Sequence, residues 1–159
     1  MSISEKKEIN QLNANREREG YWEVYYDNGQ LHYKGNYVDG HYDGLWECYH
    51  KNGQLQSKGL YVEMCKDGLW IYYNIDGSLI NKLNYYLGRP HGKWMFYSEG
   101  GSWQKGNYIY GKRDGWWEEY FSDGEVFIKG NYINGNEYGL WEEYNKRGKV
   151  EERIFYVNI

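Results

Sequence analysis

Six copies of Gly-x-Trp-x-x-Tyr run along this chain, with leading glycines at Gly20, Gly44, Gly68, Gly92, Gly115 and Gly139. Each lies 23 or 24 residues from the last, and few folds accommodate a repeat of that period. A turn glycine follows seven residues after each tryptophan (Gly29, Gly53, Gly77, Gly101, Gly124 and Gly148), and a second tyrosine column falls at Tyr37, Tyr61, Tyr85, Tyr108, Tyr132 and Tyr156. One unit is thus strand, turn, strand. The spacing predicts an all-β fold: an elongated antiparallel sheet of six stacked β-hairpins, twisted or rolled.

The dipeptides Asn28-Gly29, Asn52-Gly53, Asp76-Gly77 and Asp123-Gly124 read as two-residue hairpin loops with both residues at positive φ. Counting back from them pairs Tyr25 with His32, Glu23 with Lys34 and Trp22 with Gly35, so opposite charges meet and a ring lies over a glycine. Strand alternation then gives two faces. Trp22, Val24, Tyr26, Leu31, Tyr33 and Tyr37 form the packed one; Glu23, Tyr25 and Lys34 lie on the other. Closing turns fall at Gly40, Gly88, Gly111 and Gly135, and Ile154, Phe155, Val157 and Ile159 read as a closing strand. The fourth unit is one residue short between Gly101 and Gly106, which predicts a different hairpin loop there.

The repeat domain is read as residues 20–159. Residues 1–19 are a polar segment, either a short helix capped by Ser2 and Glu5 with Ile3, Ile9 and Leu12 as its apolar stripe, or a disordered tail. With 20 Tyr, 8 Trp and a fifth of residues aromatic, the chain has the means to fold although it is hydrophilic on average. A net charge of -4 gives no general attraction to nucleic-acid polymers or anionic membranes. Cys48 and Cys65 occupy unrelated repeat positions and read as free thiols in a reducing compartment. Residues 1–19 carry Lys6, Lys7, Arg16 and Arg18 without an apolar core run, and no stretch reaches membrane-spanning length. The expected location is the cytoplasm.

Gly-Leu-Trp-Glu-x-Tyr, Asn-Gly-Gln-Leu, Lys-Gly-Asn-Tyr and Tyr-Val-Asp-Gly, spread from Gly20 to the C-terminus, resemble the MORN-repeat variant of many bacterial and phage proteins. The resemblance implies hairpin stacks that serve as interaction scaffolds. Bacterial members are often labelled antitoxin components of toxin–antitoxin pairs, and eukaryotic ones are associated with membrane attachment and protein assembly. The family has no shared catalytic residues to carry over.

The residues themselves give no enzyme signal. His32, His41, His50 and His91 sit at different repeat positions and form no ligand pair, and no P-loop or nucleophile motif occurs. No catalytic residue, metal or cofactor is expected. The repeat does break one rule of its own. A basic column (Lys34, Lys58, Lys82, Lys105, Lys129, Arg153) faces Glu23, Glu47, Ile71, Met95, Glu118 and Glu142, so the two middle units lack the acid. Lys82 and Lys105 are therefore expected to be unneutralised. Tyr73, Ile80, Tyr97 and Trp103 are placed around them on the same face, with Tyr120 and Phe127 next to these. An aromatic patch holding two free lysines suits a contact, or else a second copy or the rolled sheet covers it. The reading is a non-catalytic scaffold for a protein partner, antitoxin- or immunity-like, with phage counter-defence as one setting. The alternative is a binder of a small anionic ligand such as a signalling nucleotide. Homo-oligomerisation is left open.

Overall fold

The computed structural model describes residues 8–157, all strand and turn. A two-residue strand β1 (Gln11–Leu12) precedes six hairpins: β2 (Arg18–Tyr25) with β3 (Leu31–Val38), β4 (His41–Tyr49) with β5 (Leu55–Val62), and β6 (Cys65–Tyr73) with β7 (Leu79–Tyr86). Then come β8 (Arg89–Tyr97) with β9 (Trp103–Ile109), a short β10 (Lys112–Arg113) on β9, β11 (Gly115–Tyr120) with β12 (Val126–Ile133), and β13 (Asn136–Tyr144) with β14 (Val150–Tyr156). Neighbours in sequence are neighbours in one antiparallel sheet, and β14 pairs only with β13, so the sheet is open rather than rolled shut. The helix, one of the two readings of residues 1–19, does not form at Ile9 and Leu12. Leu12 lies in β1, which pairs with Arg18 and Glu19, while the Asn10 side chain accepts from Glu23 N–H and donates to Glu23 C=O. That segment covers the first sheet edge. Residues 1–7, where the capping pair Ser2 and Glu5 falls, and Ile159 lie outside the described residues.

The turns are the reverse of those expected. Tyr26 N–H donates to Gln30 C=O and Gly29 N–H to Tyr26 C=O, closing a three-residue loop in which Gly29, but not Asn28, has positive φ. Asn28 instead accepts from Gln30 N–H with its side chain. The two-residue loops with both positions left-handed are the return turns, such as Asp39–Gly40 (φ 46° and 75°). The extra loop residue shifts Tyr25 onto Leu31, and a bulge at His32 restores Glu23–Lys34 and Trp22–Gly35. Two departures from the expected register therefore cancel. Leu31 moves to the Tyr25 face, while His32 stacks on Tyr26 at 4.1 Å. The fourth hairpin keeps the same loop, through Ser98 N–H to Ser102 C=O, and what it lacks is the bulge residue.

The packed face is the tryptophan face, as expected, but its rings reach further. Trp46 pairs with Gly59 inside its own hairpin, yet its indole lies on Gly35 of the preceding one, and Nε1 donates to Asn36 C=O at 3.2 Å. Trp70 sits the same way on Gly59, Trp117 on Gly106 and Trp141 on Gly130. A Cβ on any of these glycines would fall inside the indole. Trp22 is thus not the ring over Gly35. Each ring locks its hairpin to the one before, which lets a single layer bury Trp70 and Trp117.

That chain of contacts breaks once inside the sheet. Leu83 occupies the glycine position before Trp94 and pairs with it directly, and the irregularity in the ladder moves one residue along, to Asn84. Trp94 is only partly buried, and the core divides into Tyr37, Trp46 and Trp70 on one side and Trp117, Tyr132 and Trp141 on the other. Beside the break, Asn81 Oδ1 is buried without a hydrogen-bond partner. An unsatisfied buried acceptor costs about 1–3 kcal/mol. Asn81→Ile, the residue found at the equivalent Ile128, is expected to raise stability by about 1 kcal/mol in urea unfolding. An unchanged midpoint would show that the amide is satisfied by solvent.

Candidate functional site

On the other face, register places one row of side chains across the sheet: Glu23, Lys34, Glu47, Lys58, Ile71, Lys82, and on through Met95, Lys105, Glu118, Lys129, Glu142 and Arg153. The charges meet between hairpins rather than within them. Lys34 Nζ lies 2.7 Å from Glu47, Lys105 Nζ 2.7 Å from Glu118 and Lys129 Nζ 3.5 Å from Glu142, whereas Arg153 Nε lies 3.0 Å from Glu142 within its own hairpin. Tyr49, Tyr120 and Tyr144 each donate a hydroxyl hydrogen bond to the same glutamate. The hydrogen bond from Lys34 holds Glu47 below the usual carboxylate range. Burial pushes Glu118 up, but hydrogen bonds from Lys105 and Tyr120 outweigh it and hold that carboxyl low as well.

This geometry corrects the expectation for Lys105, which is neutralised by Glu118 of the next hairpin. Lys82 is the lysine that stands between two apolar neighbours, Ile71 and Met95, and among the described residues it has no ion pair within 4 Å. Ile71, Lys82, Met95 and Lys105 form the ladder row, and Tyr73, Tyr97, Trp103 and Tyr120 lie in the row beside it on the same face. There Trp103 and Tyr120 stack at 3.8 Å with planes 1° apart. Ile80 and Phe127 are not part of this group. They occupy the bulge positions of their hairpins and turn to the tryptophan face, Phe127 against Phe121 at 5.1 Å.

A third row on this face lies beyond the ladder, built from the residue between the glycine and tryptophan of each repeat: Tyr21, Leu45, Leu69, Lys93, Trp116 and Leu140. Leu69 is 48% exposed and Trp116 53%. Between this row and the ladder, where Met95 replaces the glutamate, a groove of about 640 Å³ opens across β6, β7, β8, β9 and β11. Leu69 and Trp116 stand near its ends, Lys82, Met95 and the Lys105–Glu118 ion pair line its ladder side, and Asn84, Lys93 and Asn107 its outer side. The equivalent hollow at Tyr21, Lys34, Asn36, Leu45 and Glu47 is smaller, about 410 Å³. Leu69, Lys93 and Trp116 lie outside the patch expected from the sequence, although five of the six residues in that column are apolar or aromatic.

Among the described residues, no three His, Cys, Asp or Glu side chains gather as a metal site, and no helix is long and apolar enough to cross a membrane. Cys48 and Cys65 are free thiols. A tandem-hairpin sheet with one ring-packed face and one open, grooved face is the architecture of a repeat-built binding module. The MORN repeat variant model matches residues 18–39, 42–63, 113–134 and 137–158, more than half of the chain, and the protein belongs to that family. The matched stretches are the outer hairpins; the segment between them holds Leu83, the missing bulge and all of the groove lining except Trp116 and Glu118. No curated protein matches the chain.

Proposed function

We propose that this protein is a non-catalytic scaffold that holds a protein partner, antitoxin- or immunity-like, on the groove face of its central hairpins. The observation that carries the reading is the groove itself, which opens where the repeat departs from its own pattern and keeps Leu69 and Trp116 in solvent. Exposed apolar area of this kind on a sheet already packed on its other face marks a contact surface. Tyr and Trp supply contact area at low rotamer cost. MORN repeats are interaction modules, which agrees with this, and the side chains at the groove hold no nucleophile–base pair.

The test is affinity capture with the intact chain from its native host, followed by mass spectrometry and reconstitution of the pair. Trp116→Ala with Leu69→Ala is expected to weaken the reconstituted complex at least tenfold without changing the circular dichroism, since buried aromatic anchors are worth about 2 kcal/mol or more. Undiminished binding by that double variant would remove the groove from the interface. A second reading, capture of a small anionic ligand such as a signalling nucleotide, draws on Lys82 sharing a face with the Trp103–Tyr120 stack. It requires nucleotide absorbance released on denaturing the purified protein, or a thermal shift with a nucleotide panel.

A further inference from the structure

The ladder repeats a three-part contact at Glu47, Glu118 and Glu142: a lysine from the preceding hairpin, the carboxylate, and a tyrosine two residues on. Lys34–Glu47–Tyr49, Lys105–Glu118–Tyr120 and Lys129–Glu142–Tyr144 are all built this way. In the fourth hairpin Met95 stands where the carboxylate belongs. The lysine and tyrosine are still in place, Lys82 without an ion pair among the described residues and Tyr97 donating a hydroxyl hydrogen bond to Met95 Sδ at 2.9 Å. Thioether sulfur is a weak acceptor. The third hairpin repeats the vacancy in milder form, with Ile71 between Lys58 and Tyr73, but Lys58 still has Glu47 on its other side.

Resting on the protein-binding reading above, we propose that the groove receives an acidic segment of the partner, and that one of its carboxylates sits over Met95, bonded by Lys82 and Tyr97. The partner completes from outside the contact that the other hairpins complete from within. Three observations favour a protein segment over a small anion. The groove crosses five strands, about 19 Å at the usual strand spacing, which matches some six residues of extended chain. Exposed apolar side chains at both ends, Leu69 and Trp116, favour apolar flanks on either side of the acid. Among the described residues Glu118 is the one carboxylate lining the groove and is taken by Lys105, which leaves Lys82 and Lys93 as a basic spot in a chain of net charge -4. Such local complementarity selects an acidic partner rather than anions in general.

The experiment uses the intact protein, labelled at its methionine methyls, titrated with N-acetyl-Leu-Glu-Leu-amide, its Gln counterpart and inorganic phosphate. The Glu peptide is expected to shift the Met95 methyl saturably and at least tenfold more tightly than the Gln peptide, as a charge-assisted hydrogen bond predicts. Met95→Glu supplies the carboxylate internally and is expected to abolish that binding while the melting temperature stays level or rises. Lys82→Met, a second route to the same loss, guards against an effect peculiar to the glutamate. Equal binding of the two peptides, persistence of binding in Met95→Glu, no shift of Met95, or phosphate binding as well as the Glu peptide would each overturn the carboxylate site. The reading of the groove as a protein interface fails separately, if Trp116→Ala with Leu69→Ala leaves the reconstituted complex intact.

Discussion

Gly59→Ala should lower the stability of the whole sheet by roughly 3 kcal/mol and its melting temperature by about 10 °C. The reason is room rather than backbone freedom, because Gly59 has an ordinary strand φ. The Trp70 indole lies flat against its Cα, donates Nε1–H to Leu60 C=O at 3.0 Å, and is closed from the other side by the Lys66 ammonium 4.3 Å from a ring centroid. A methyl group on Gly59 would occupy ring atoms, so the indole must leave a position where it is 3% exposed. Losing a buried tryptophan contact costs about 3–5 kcal/mol, and partial repacking recovers some of it. Gly29→Ala is the control. Nothing lies within 4 Å of that Cβ, and the variant carries only the left-handed backbone penalty of about 1–2 kcal/mol. If thermal melts placed Gly59→Ala within about 0.5 kcal/mol of the parent, below the range of overpacking costs, the ring-on-glycine lock would not be a principal source of stability.

The second large effect is alkaline unfolding. Burial first, and then a hydrogen bond with Tyr33, pushes Tyr37 up to about 12 against an opposing hydrogen bond from Arg18. Burial also carries Tyr85 to about 12, helped by Tyr72. A phenol whose folded pKa exceeds its unfolded value contributes stability that is fully present below about pH 10 and is lost as pH rises through the folded value. Two units on the buried Tyr37 amount to about 2–3 kcal/mol, and the partly exposed Tyr85 adds less. Burial raises Tyr61, Tyr72 and Tyr132 in the same direction. Tyrosinate absorbance and far-ultraviolet circular dichroism should therefore change together between about pH 10 and 12, in one cooperative step. Tyr37→Phe should move that step to higher pH. Independent titration of the tyrosines with the strand signal retained at pH 12 would contradict the assignment.

The periodicity made the fold legible, since a hairpin every 23 or 24 residues leaves little else to build. The register was legible for a less direct reason. Asn28-Gly29 suggested a two-residue loop, the loop holds three, and the bulge at His32 returns the count to the same pairing from Val24 onward. Only the residues between turn and bulge, Leu31 and His32, change faces, and this is what moves Ile80 and Phe127 off the candidate site. Contacts between hairpins were harder to read. Counting back from a turn pairs residues within one hairpin, so it assigned Trp22 to Gly35 and Glu118 to Lys129. The rings and ion pairs instead cross to a neighbouring unit, Trp46 onto Gly35 and Lys105 to Glu118. Lys82 was legible from its column because the acid is missing on both sides. The groove was not, because its outer row depends on Leu69 and Trp116 standing beside a ladder that no single hairpin contains.

The direction of the tryptophan contact also makes the stack polar, each hairpin resting on the one before it. A hairpin is received by a bare glycine on the one before it, so a hairpin that offers no such glycine cannot be extended in the same manner. Leu83 is bridged only by slipping the irregularity one residue along. At the far end the position falls to Ile154, paired with Trp141 and 39% exposed, with no ring above it. At the near end, Asn10 and β1 take up the backbone of β2 that would otherwise receive another chain. The two outer edges of the described sheet are therefore chemically unlike, one closed by a short strand and an asparagine side chain, the other ending on a hairpin whose receiving position carries a branched side chain instead of bare backbone.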